Sequence, residues 1–126
     1  MAVNLDSLKT QYLQHDVSTQ LGRLVENLTQ IKALAQAGTE EQLAQDLIRE
    51  SQFFIEWIVP NLNLKTNMEL ATQLVELQRQ LSRWKLHWST LWSNPSNRLQ
   101  IAVDAQEWTD RLQLGLTSSN DLQART

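Results

Sequence analysis

From Leu70 to Leu91 the chain repeats apolar residues at alternating steps of four and three: Leu70, Leu74, Leu77, Leu81, Trp84, Trp88 and Leu91. Such a step closes every seven residues, so it keeps one side of an α-helix continuously apolar, whereas a strand, alternating every two residues, would gain no sided pattern from it. The segment must therefore be a helix laid against other helices.

The chain has only three glycines and two prolines in 126 residues, so each break carries weight. Gly38-Thr39, Pro60-Asn61 and Asn94-Pro95 are the strong ones, and they predict four helices over about residues 4–37, 40–59, 67–92 and 95–114. In the first, Leu13, Val17, Leu21, Leu24, Leu28, Ile31 and Ala35 form one stripe; in the second, Leu43, Leu47, Phe54 and Ile58 do, beside Ala44, Ile48 and Ile55. Thr39 with Gln42, and Thr66 with Glu69, read as capping boxes. Asn94 reads as the cap of the fourth helix with Pro95 at its first position, Ser96 being the alternative, and Gly115 as its end. Ile101, Ala105, Trp108 and Leu112 are its core stripe. Short connections favour antiparallel neighbours, so the expected fold is all-α: an antiparallel four-helix bundle of uneven helices in one domain, residues 1–115, with a frayed, flexible tail over 116–126. Gly22 inside the first helix suggests a close helix approach.

Composition narrows the functions. There is no cysteine, which removes disulfides, thiolate nucleophiles and Cys-held clusters. No apolar run approaches the ~20 residues that span a bilayer, and the segment MAVNLDSLKT has neither a basic nor an apolar targeting region, so the expectation is a cytoplasmic protein without a membrane role. A net charge of −3 supplies no field for nucleic acid. Arg79, Arg83, Lys85 and His87 interleave with tryptophans, but on the helical wheel basic groups and rings do not share a surface, which makes a solvated face the better reading, with Glu76 placed to pair with Arg79.

Two histidines, His15 and His87, cannot build a three-His zinc site, and no Glu-x-x-His occurs, so no catalytic, cofactor-binding or metal residue is assigned and an enzyme is not expected. Haem ligation by His87 is the weaker reading of that residue. Asp104, Glu107 and Asp110 spread around their helix, with Arg111 four residues from Glu107. Glycine loops for phosphate and a nucleophile elbow are absent. Trp84, Trp88 and Trp92 form a ladder that suits either core packing, the preferred reading, or a flat ligand.

What remains is apolar surplus. Met68, Val75 and Leu86 fall nearly opposite the seam of the third helix, Leu99, Val103 and Leu114 lie off the stripe of the fourth, and Phe53 lies off that of the second. Leu5, Leu8 and Tyr12 also miss the first stripe, which fits either a separate turn packed by a kink at His15-Asp16 or a further surface. Phe53, Met68, Val75, Leu86, Leu99, Val103 and Leu114 are thus the candidate interface of a non-enzymatic interaction or assembly protein, itself the expected partner in a homodimer. The alternative is a small-molecule or cofactor binder at the Trp-rich end of the third helix.

Overall fold

The computed structural model describes residues 4–124, with side chains through Leu114. It is all-helical, with 90% of the chain in helix and no strand among the described residues. Six helices follow in order: α1 (Leu5–Leu13), α2 (Val17–Ala37), α3 (Glu41–Ile58), α4 (Leu64–Leu86), α5 (Trp88–Ser93) and α6 (Pro95–Ala124), with one 3-10 turn at Val59–Asn61.

The single first helix expected over 4–37 is instead two, broken at the His15-Asp16 kink that is one of the two readings of Leu5, Leu8 and Tyr12. Asp16 accepts from the Thr19 backbone N–H and starts α2 afresh, while Asn4 caps α1 through Ser7. Bonding to the Thr19 side chain and to its backbone N–H holds the Asp16 carboxyl below the usual carboxylate range. The break lets α1 fold back, so Tyr12 is fully buried rather than surface-facing, and Leu13, placed on the core stripe by its spacing, is instead 37% exposed. A reciprocal set of bonds fixes the turn. The Tyr12 hydroxyl donates to the Gln20 carbonyl at 2.7 Å, and the Gln20 amide returns bonds to the Tyr12 and His15 carbonyls. Tyr12 stacks on Phe54 with ring centres 4.0 Å apart, and the Arg23 guanidinium covers both rings. Burial drives the Tyr12 hydroxyl above the ordinary tyrosine range, against the pull of Arg23.

Gly38 ends α2 in the left-handed conformation, φ 68°, its N–H bonded to the Leu34 carbonyl. Neither expected capping box forms. Glu40, also left-handed at φ 53°, is the residue preceding α3 and makes no side-chain cap; left-handed residues on either side of Thr39 turn the chain there, so the helix starts one residue later than Thr39 would set it. Asn63 caps α4 ahead of Thr66, with Leu62 buried before it, and the helix kinks at Asn67. Asn94 does cap α6, accepting from Ser96 and Asn97, with Pro95 first in the helix. The helix runs on past Gly115 to Ala124, beyond the end expected for it: a lone glycine costs only about 1 kcal/mol and no proline follows. Residues 125–126 of the expected tail lie outside the described residues.

The third segment bends at His87 (φ −106°, ψ 21°) into α4 and α5, yet its seam runs through the bend: Leu74, Leu77, Leu81, Trp84 and Trp88 are buried, Leu70 and Leu91 at its ends are half-buried, and Trp92 is buried beside Leu91. Leu43, expected in the core, is 42% exposed, and a Cβ on Gly22 would meet open space, so no close approach explains that glycine.

α2 packs against α6 on one side and α3 on the other, and α3 meets α4. Lys32 donates to Gln106 while Arg98 lies on Gly38, so α6 runs antiparallel to α2. Between α2 and α3 a buried polar contact interrupts the leucines: Asn27 donates to Ser51 Oγ and Glu50, and Ser51 Oγ, fully buried, donates to the Leu47 carbonyl. At the α6 start the Arg98 guanidinium lies flat over Gly38 and donates to the Trp92 carbonyl at 2.8 Å, where its charge faces the negative end of α2.

Candidate interaction site

The tryptophan ladder is core. Trp84, Trp88 and Trp92 are 3%, 7% and 7% exposed, Trp88 and Trp92 stack at 4.9 Å, and the Trp88 indole N–H donates to the Glu41 carboxylate at 3.0 Å. Buried faces already in ring contact leave no slot between them for a planar molecule. Beside Trp88, however, an open groove of about 560 Å³ runs between α3 and the end of α4. Gln42, Gln45, Asp46, Arg49, Gln52, Glu56 and Lys85 form its wall, with Ile48, Phe53 and Trp88 as apolar patches. Alternating amide side chains on one face of α3 were the sequence signal for it, and the wheel applied there only to apolar residues passed over them.

Titratable groups elsewhere do not converge. Among the described residues no group of three His, Cys, Asp or Glu could hold a metal ion, and His15 and His87 are both exposed. Among the described side chains of α6 each carboxylate is engaged along its own helix: Asp104 accepts from Gln100, Asp110 from Gln106, and Glu107 pairs with Arg111 at 2.8 Å. Arg111 also lies 4.7 Å over the Trp108 ring. Arg79 and Arg83 are exposed, and the expected pairing of Arg79 with Glu76 does not form.

Six of the seven candidate interface residues stand in solvent: Leu86 is 78% exposed, Leu114 69%, Val103 59%, Met68 58%, Leu99 56% and Val75 42%. Phe53 is only partly exposed, because it stacks on Trp57 and is covered by the Arg49 guanidinium. Leu64, 50% exposed, joins the α4 group: the helix expected from about residue 67 starts instead at Leu64, behind the Asn63 cap.

These residues belong to two stripes. On α4, at 100° per residue, Met68, Val75 and Leu86 lie within about 20° of one another, and Ser82 lies at their edge, about 20° beyond Val75. Ser82 accepts from Gln52 of α3, so this stripe borders α3 and the groove. On α6, Leu99, Val103 and Leu114 span about 60° around Asp110; Gln106 lies about 20° beyond Leu99 and accepts from Lys32 of α2, so that edge of the stripe borders α2. Comparison with protein-family models, with curated proteins and with solved structures finds no match to this chain.

Proposed function

We propose that this chain is a non-enzymatic assembly or adaptor protein of the cytoplasm that associates with itself, and that α2, α3, α4 with α5, and α6 form an up-down-up-down antiparallel four-helix bundle displaying the two stripes. The observation that carries the reading is the contrast between a filled core, with Leu74, Leu77 and Leu81 fully buried, and six apolar side chains held 42–78% in water. Isolated exposed leucines are ordinary; ordered stripes of them on two helices favour a covered surface. Light scattering across micromolar concentrations tests it. Association gives a mass of at least twice 14.6 kDa, and a mass of 14.6 kDa throughout overturns the reading.

The groove beside Trp88 favours a second reading, a small-molecule binder. Its polar, open wall offers few converging groups to hold a ligand, which ranks it below assembly. A compound that shifts tryptophan fluorescence and raises Tm, and does neither in Gln45→Ala, would reverse that order.

A further inference from the structure

We infer that copies of this chain associate head to tail, the α4 stripe of one against the α6 stripe of the next, so that the assembly is open rather than a closed two-fold dimer. This rests on the self-associating bundle proposed above and states how it pairs.

The first argument is placement. The α4 stripe borders α3 and the α6 stripe borders α2, as the Gln52–Ser82 and Lys32–Gln106 bonds require. In the bundle these are opposite sides, so one two-fold interface covers one stripe and strands the other. A heterologous contact covers both in every copy, and it grows unless it closes into a ring.

The second argument is charge. Arg79 lies among Val75 and Leu86, exposed and without an ion pair, while Asp110 lies among Val103 and Leu114 and takes only the Gln106 amide. Stripe against like stripe brings equal charges together; α4 against α6 brings opposite ones.

The third is register. α6 returns from the Asn94 turn beside the chain that enters it, with Asn97 donating to the Thr90 carbonyl, so residues equally far from the Asn94–Pro95 bond lie level. Arg79 and Asp110 are such a pair, and so are Val75 with Leu114 and Leu86 with Val103. Moving a copy sideways, across the helix axes, preserves level. All three pairs then meet at once, an opposite-charge pair between two apolar contacts. The matched segments are each about 16 Å long, short of a standard interface of ~800 Å² per partner, so the association is weak and concentration-dependent.

The test uses one blocked face per variant, Val75→Glu on α4 and Val103→Lys on α6, with circular dichroism to verify the fold. Wild-type mass should climb past two copies between about 5 and about 200 µM. Each variant alone should stay monomeric, since every contact needs one intact face of each kind. An equimolar mixture should give a 1:1 dimer and nothing larger. Within one chain, Arg79→Glu or Asp110→Lys should weaken association about tenfold and the double variant should restore it. If Val103→Lys still dimerises alone, or the mixture stays monomeric, head-to-tail pairing is overturned while self-association stands. A wild type monomeric at every concentration overturns both.

Discussion

Replacing Gly38 by alanine loads two costs onto one methyl group. At φ 68° an L side chain is strained by about 1 kcal/mol relative to glycine. The new Cβ would also lie 2.9 Å from Arg98 Nη2, 3.0 Å from Cζ and 3.1 Å from Nε, so the whole guanidinium plane must withdraw. An arginine tip usually moves freely, but this one is tethered by its 2.8 Å bond to the Trp92 carbonyl, and its Nε is buried. Withdrawal stretches a charge-assisted bond and adds about 1–2 kcal/mol. The sum, about 2–3 kcal/mol, should lower Tm by roughly 8–12 °C for a domain of this size. Urea or thermal unfolding of four proteins decides it: wild type, Gly38→Ala, Arg98→Ala and the double variant. In the Arg98→Ala background the contact is gone, so the cost of Gly38→Ala should fall to about 1 kcal/mol. An equal cost in both backgrounds, or a cost below about 0.5 kcal/mol in the wild type, refutes the contact as the reason this position is glycine.

Leu77→Ala and Leu81→Ala each remove a fully buried side chain at the centre of the seam and should cost about 2–5 kcal/mol in urea unfolding; a cost under about 0.5 kcal/mol would mean the seam is not core. Tyr12→Phe should cost about 1–2 kcal/mol at neutral pH by leaving the Gln20 carbonyl without its hydroxyl donor. Because burial raises the Tyr12 pKa, the unfolded chain loses that proton first, and stability should fall as pH rises past about 10. Tyr12→Phe should flatten that alkaline fall, and an unchanged slope in the variant would place the titration elsewhere.

Helical character, the heptad seam and the Asn94-Pro95 start were legible because each rests on local chemistry: period, propensity and a cap that bonds within three residues. What was not legible depended on where the chain goes next. Thr39 and Thr66 have sound capping partners three residues on, but Glu40 in the left-handed region and Asn63 three residues upstream set the true starts. Tyr12 lay between: its spacing left a packed turn with a kink at His15-Asp16 and a further surface equally open, and it is the Asp16 cap and the bonds to Gln20 that decide for the packed turn. For the candidate surfaces, the wheel found which residues face away from the seam. It could not say which neighbouring helix each stripe borders, since that is fixed by Gln52–Ser82 and Lys32–Gln106 across the fold.

Leucine-rich helices have a particular hazard: slid by one turn, they still bury leucine on leucine, and little apolar energy is lost. The Asn27–Ser51 contact removes that freedom. A shift of α3 by four residues would set Asn27 opposite Leu47 or Ile55, both buried, and strand its amide where water does not reach. A stranded amide costs about 1–3 kcal/mol, comparable to a whole buried leucine, while the pair in its native setting adds little to stability. Asn27 thus works as a key cut for one lock position, selecting among near-equal packings rather than tightening any of them.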